Sequence, residues 1–231
     1  MSTPLARVEA VLTGTAVAYS RPGSRSAIAK QPRPGPVHIG VEGLEGDEQG
    51  DRRVHGGPDK AIHHYARDHY RAWEADIGGH RLLEQPGAFG ENISTTGITE
   101  GDVCLGDRLR LGSAVVEVAQ GRQPCWKLSD RFGVPDMARR VQDSGRSGWY
   151  YRVLEPGQVE AGDELVLLAR PYPDWPPPRL AALLYRRTLD RDELRAALEL
   201  PLVPSWQRTF ERRLEQGRTE DWESRLRGPQ G

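Results

Sequence analysis

The residues best suited to chemistry lie in one stretch, Gln120-Gly121-Arg122-Gln123-Pro124-Cys125-Trp126-Lys127-Leu128. An apolar run, Ala114-Val115-Val116-Glu117-Val118-Ala119, precedes it and reads as a strand. Gly121 and Pro124 break that pattern, so Cys125 stands at a strand-to-loop exit, from which a side chain can face a cleft. Arg122 and Lys127 flank it. Neighbouring cations favour the thiolate, which is both a nucleophile and a metal ligand. Most cysteines outside disulfides are small buried hydrophobes, so the flanking cations carry the chemical reading. Cys104 differs: its parity is opposite to that of Val103, Leu105, Leu109 and Leu111, and no cation adjoins it. It reads as structural or exposed.

Three other stretches hold candidate ligands. Arg21 to Pro32 is a polar loop whose donors, Ser26 and Lys30 among them, suit a phosphate. Gly43 to Lys60 is rich in glycine, which marks turns or close approach of backbone to a ligand. It matches neither a P-loop nor a dinucleotide fingerprint. In Pro86 to Ser94, Glu91 or Asn92 either hydrogen-bonds a heterocycle edge or organises the turn. Lys30, Lys60 and Lys127 are the only lysines against 29 arginines, and all three fall in these stretches. A chain so weighted to arginine keeps lysine where a compact ammonium is wanted, or by codon bias alone. His55, His63, His64 and His69 suggest zinc, but there is no His-Glu-x-x-His and a zinc site is not expected.

The elements that must position these residues are mostly short strands. Residues 7–19, 37–41, 103–111, 114–119, 148–154 and 164–168 read as strands, with turns at Pro156-Gly157 and Gly162-Asp163. Asp59 to Ile77 reads as a helix with Ile62, Ala66, Trp73 and Ile77 on one face, His63 at its edge and His64 pointing away. Val134 to Ser144 reads as a second helix with Pro135 in its first turn. Strands in this number, not alternating with helices, point to a mainly β protein with a barrel or sandwich-like core over residues 1–169. Residues 170–178 hold five prolines and read as a stiff linker. Residues 179–231 turn helical: Arg179–Arg187, a helix capped by Asp190, a helix capped by Ser205, and a short turn within Thr219–Leu226.

With 231 residues, a net charge of -1, and 32 basic against 33 acidic residues, the chain has no electrostatic footprint for nucleic acid or an anionic membrane. No apolar run approaches the ~20 residues of a membrane span, and no signal peptide is expected at the N-terminus. Two cysteines make no disulfide framework, which suits a cytoplasmic protein.

Gly43-Leu44-Glu45-Gly46-Asp47, Val54-His55-Gly56-Gly57-Pro58-Asp59-Lys60, Phe89-Gly90-Glu91-Asn92 and Pro124-Cys125-Trp126-Lys127-Leu128, in this order, resemble the MOSC domain, named for the C-terminal domain of molybdenum-cofactor sulfurases. The helical tail is similar to that of the bacterial YiiM-like branch, whose members confer resistance to 6-hydroxylaminopurine. The resemblance implies a β-barrel core that holds molybdenum cofactor (molybdopterin), followed by a three-helix domain. Its invariant cysteine matches Cys125, which would ligate molybdenum. Candidates for holding the pterin and its phosphate, by side-chain chemistry, are Ser26, Lys30, Arg53, His55, Asn92 and Arg122.

The implied activity is reduction of small N-hydroxylated compounds, R-NHOH to R-NH2, with His55 or His63 as the acid that helps the hydroxyl leave as water. No flavin, haem or iron–sulfur motif is apparent, so a separate reductase is the expected electron donor. The rival reading is a carrier that holds cofactor or sulfur on Cys125 without turnover. The sequence is also compatible with a homodimer.

Overall fold

The computed structural model describes residues 4–50, 56–186 and 189–228. Arg53 and His55, two of the candidates, lie outside the described residues. The core is a closed barrel. Strand β1 (Ala6–Thr13) pairs antiparallel with both β13 (Glu164–Ala169) and β8 (Ile93–Thr96), which joins the two ends of the sheet. From β13 the circuit runs through β9 (Arg108–Leu111), β10 (Ala114–Gly121), β11 (Trp149–Glu155) and β7 (Ile62–Ala66) to β8 and β1. Closure leaves these seven strands without an edge. β2 (Val17–Ala18) and β3 (Arg25–Ser26) pair as a short ribbon and β4 (Gln31–Pro32) extends the end of β1, while β5 (Val37–Gly40), β6 (Gly43–Leu44) and β12 (Gly157–Val159) form a small separate sheet.

Alternation fills the barrel. Leu109 and Leu111 point inward from β9 while Arg108 and Arg110 face solvent. Val8, Val11, Val116, Val118, Tyr151 and Leu165 complete the same cluster, each aliphatic side chain contributing roughly 1.5–3 kcal/mol on burial. Between β10 and β11 the register shifts at Val118/Gln120, a bulge that re-aims the end of β10.

The helix read over Asp59–Ile77 is corrected. Pro58–Lys60 is one 3-10 turn, Ile62–Ala66 is the strand β7, and only α1 (His69–Ile77) is helical. All five residues of β7 are buried, because both its faces are covered. Such a strand shows no alternation in sequence, and its apolar residues fell on a helical spacing by coincidence. The helix read over Val134–Ser144 is also shorter: α2 (Lys127–Phe132) ends at Gly133 with φ 63°, and α3 (Met137–Ser144) starts after Pro135.

The tail contains α4 (Pro177–Tyr185), α5 (Arg191–Leu198), α6 (Pro204–Gln216) and α7 (Glu223–Arg227). Asp190 caps α5, accepting hydrogen bonds from the Asp192 and Glu193 amides at 2.9 and 3.1 Å. Ser205 does not cap α6, because Val203 holds that position and Pro204 the first turn. Leu180, Leu184, Leu194, Trp206 and Phe210 pack into a core of their own, joined by Leu105 from the barrel. The proline-rich segment is fastened down: the Leu105 amide donates to the Trp175 carbonyl at 2.9 Å, and Arg170 pairs with the buried Asp107 at 2.7 Å. No helix among the described residues is long and apolar enough to cross a membrane.

Arg213 locks the helical unit. It is 1% exposed, pairs with Glu220 at 2.7 Å and donates to the carbonyls of Leu183 and Leu184 at the end of α4. Truncation to alanine leaves a carboxylate and two carbonyls without their donor. Arg213→Ala is expected to lose about 3–5 kcal/mol, the cost of breaking a buried pair from one side. Urea unfolding followed by tryptophan fluorescence measures it; a loss below about 1 kcal/mol would place the pair among the weak surface kind.

Candidate functional site

A cleft of about 600 Å³, its open mouth included, lies where six chain segments meet beside the barrel. Two side chains fix its floor. Asp47 accepts from the Gly14 amide at 2.8 Å, from the Asn92 amide nitrogen at 2.9 Å and from the Lys30 ammonium. Asn92 also donates to the Leu12 carbonyl at 3.1 Å and accepts from the His63 backbone amide at 3.0 Å. Its hydrogen-bonding groups are thus engaged within the protein.

Glu91 organises the adjoining turn. Its carboxylate, fully buried, accepts from the Gly87 and Phe89 amides at 2.7 and 3.0 Å and from the Tyr70 hydroxyl at 2.7 Å. Gly90 follows with φ 75°, where a Cβ would stand 2.6 Å from Ile28 Cγ1. Only glycine lets the two backbones pass this closely.

Cations dominate the lining. All three lysines of the chain reach the cleft, with Arg122. Burial lowers the Lys30 pKa, opposed by Asp47, and burial lowers that of Lys60, opposed by Asp59. The Lys127 ammonium donates to the Arg25 carbonyl at 2.6 Å. Arg122 is 7% exposed, and its backbone amide holds the Gly148 carbonyl at 3.0 Å. Its Nη1 has no hydrogen-bond partner among the described residues. A buried donor left so costs about 1–3 kcal/mol, and more when charged, which marks a place for an acceptor.

Cys125 lines the same cleft, partly exposed. Cys104 lies elsewhere, buried, its Sγ donating to the Pro173 carbonyl at 3.2 Å. Burial raises the Cys104 pKa, opposed by Arg170. Tyr150 faces the cleft beside Arg122 and His63; burial raises the pKa of its hydroxyl, which Arg122 opposes.

β7 splits the two neighbouring histidines. His63 turns to the cleft and His64 to the opposite side, against Tyr151 Oη at 2.9 Å and Thr95 Oγ1 at 2.7 Å. Burial, helped by Arg122, lowers the His63 pKa well below the ordinary value; burial pushes that of His64 down to about 3. Both are neutral near pH 7.

The fold therefore brings Ser26, Lys30, His63, Asn92, Arg122 and Cys125 to one cleft. The Ser26 hydroxyl accepts from the Ile28 amide at 3.2 Å. The site choice missed Lys60, Lys127, Asp47 and Tyr150. The scarcity of lysine was the signal for the first two. Tyr150 had none, since its facing depends on the bulge in the β10–β11 ladder.

The MOSC domain model matches residues 51–166, and a YiiM-like, 3-alpha helix domain model matches residues 175–217. Protein YiiM of Escherichia coli is 41% identical over 219 residues, 94% of this chain and 97% of that protein. The chain belongs to the MOSC family, with the YiiM-like helical domain attached. The crystal structure of E. coli YiiM superposes with a TM-score of 0.80 at 34% identity, covering 96% of this chain and 99% of that one. A longer relative, named a reductase, from Gibberella moniliformis, is 39% identical over 77% of this chain but only 32% of its own length.

His64 gives this MOSC barrel a testable acid sensitivity. Its folded pKa lies below that of the unfolded chain, about 6.5. The unfolded state therefore binds more protons, and stability falls as pH drops from about 6.5 toward 3. One such histidine contributes a slope of about 1.4 kcal/mol per pH unit. In His64→Gln, the fall in stability between about pH 6 and 4 is expected to be shallower by that amount. Denaturant titrations across this range decide it; an unchanged slope would mean that His64 is protonated in the fold.

Proposed function

We propose that the cleft binds molybdenum cofactor, with Cys125 as the protein ligand to molybdenum, and that the protein reduces small N-hydroxylated compounds such as 6-hydroxylaminopurine. The observation that carries this reading is the buried Nη1 of Arg122, a charged donor with no partner among the described residues, on a residue that lines the same cleft as Cys125. The donor set suits the cofactor at both ends. A thiolate is the soft ligand that molybdenum takes beside a dithiolene. Arg122, Lys60 and Lys127 offer cationic donors to a pterin phosphate, and the rings of Phe89 and Tyr150 offer apolar surface to a heterocycle. When bound, the cofactor supplies the two-electron couple that the side chains lack.

The reaction balances as R-NHOH plus two electrons and two protons giving R-NH2 and water. One proton must reach the departing hydroxyl. His63 is held uncharged, so it enters as a weak acid. Tyr150, a neutral phenol at the cleft wall with Arg122 beside its oxygen, is the proton donor in this reading. Electrons come from a separate reductase. The fungal relative named a reductase supports this division, because most of its length has no counterpart in this chain.

Two measurements test the proposal. Cys125→Ser is expected to lose bound molybdenum after purification from a cofactor-making host, while Cys104→Ser retains it; equal metal in both would refute the ligand assignment. The loaded protein with an artificial reductant is expected to convert 6-hydroxylaminopurine to adenine over many turnovers, and without reductant to make at most about one equivalent per molybdenum, since the couple must be re-reduced. Product that never exceeds the Cys125→Ser background on any N-hydroxylated substrate would leave the carrier reading in its place.

A further inference from the structure

The end of the chain returns to the cysteine. The Trp126 amide donates to the Arg225 carbonyl at 3.0 Å. The Arg225 guanidinium donates to the Pro124 carbonyl and, at 2.5 Å, to Gln142 Oε1 on α3. One residue thus holds the peptide groups on both sides of Cys125. Its guanidinium also lies over the rings of Tyr185 and Trp222, 5.5 and 5.4 Å from their centroids, which ties it to the helical unit. Neighbours reinforce the strap. Arg21 donates to the Arg227 carbonyl at 2.7 Å, Arg139 pairs with Glu223, and Gly228 runs so close to Trp126 that a Cβ there would stand 2.6 Å from the indole.

The cysteine loop needs such an anchor. Pro124 has no amide to donate, and β10 ends at Gly121. The strap also lies outside the matched MOSC and three-helix regions, which end at residues 166 and 217.

We infer that residues 222–228 form a strap that positions Cys125, with Arg225 as its positioning residue. The inference rests on reading Cys125 as the reactive thiol of the cleft. It does not require that the bound group be molybdenum or that the reaction be a reduction.

The test uses the full-length, cofactor-free protein. Alkylation of Cys125 by iodoacetamide is followed by mass spectrometry in wild type, Arg225→Ala, Arg225→Lys and Glu223→Gln. Arg225→Ala is expected to alkylate about tenfold faster, the factor for losing one charge-assisted hydrogen bond of modest strength. Arg225→Lys, which keeps the charge and one donor, returns the rate to within about threefold of wild type, and Glu223→Gln, which weakens one reinforcing pair, raises it by less than Arg225→Ala does. A rate in Arg225→Ala that is unchanged, or slower through loss of a cation near the thiol, would overturn the inference. Should Arg225→Ala fail to fold, hydrogen exchange in the wild-type protein decides. Peptides covering 123–128 and 222–228 are expected to lose protection together; protection kept at Trp126 while the strap exchanges would overturn it. In protein loaded with molybdenum, metal content then reads the strap against the ligand assignment. Arg225→Ala lowers retention, and a Cys125→Ser variant that still holds metal would refute the ligand assignment while leaving the alkylation result standing.

Discussion

The cleft depends on the node between Asp47 and Asn92. Through it the end of β1, the loop before residue 50, the strand β7 and the entrance to β8 are hydrogen-bonded to one another. The node is worth more than its count of bonds, because the Asp47 carboxylate, its side chain 5% exposed, is paired with the Lys30 ammonium. Removing Lys30 would leave that charge in a low dielectric with only neutral donors, and removing Asp47 would strand an ammonium already weakened by burial. Neither partner is dispensable alone. Lys30 therefore serves first as the counter-ion of the floor, and any contact it makes with a ligand comes on top of that duty.

With Asp47 balanced by Lys30, the remaining positive charge of the cleft falls to Lys60, Lys127 and Arg122, facing Glu48, whose carboxylate accepts from the Ala16 amide at 2.7 Å. The division between lysine and arginine follows geometry. The ammonium of Lys127 fits beside a single carbonyl, whereas Arg122 is planar and reaches several directions. It stands beside Tyr150 and still has Nη1 left over. Burial, with this cation adding to it, lowers the His63 pKa, so positive charge at the site sits on Lys60, Lys127 and Arg122 and not on the imidazole.

Much of this was legible in the sequence where one face of a strand meets solvent. The alternation read over 103–111 holds as a strand only in β9, Arg108–Leu111, where the parity of Leu109 and Leu111 is as read; Gly121 and Pro124 placed Cys125 at a strand exit. The tail's helices were legible from their period, with the Asp190 cap as a firm marker. β7 was not, because burial on both faces erases the alternation that identifies a strand. That error misplaced His63 and His64, whose opposite facing follows at once from a period of two. Glu91 and Asn92 were recognised as either ligands or turn organisers, and the carboxylate of Glu91 is spent on the turn. Arg225 was out of reach, since it is about a hundred residues from Cys125 and no local pattern records a pairing at that distance.

The same separation explains why a division of the chain by composition is not a division of labour. Beyond Gly121, which still pairs with Trp149, and Arg122, whose amide holds the Gly148 carbonyl, the chain through Gln123 and Pro124 has left the barrel ladder and not yet entered α2. Its order is borrowed. Gln123 accepts from the Trp206 indole at 3.4 Å, Pro124 from Arg225, and Trp126 donates to the Arg225 carbonyl. Each anchor comes from beyond the proline-rich segment, and that segment can transmit them because it is fastened to Leu105 and Asp107. A thiol facing a cleft acts at a defined place only if its loop is held there, since a mobile side chain loses in entropy what any contact supplies. The helical unit thus belongs to the site even though it lends the cleft no side chain: the barrel presents Cys125, and the helices decide where it stands.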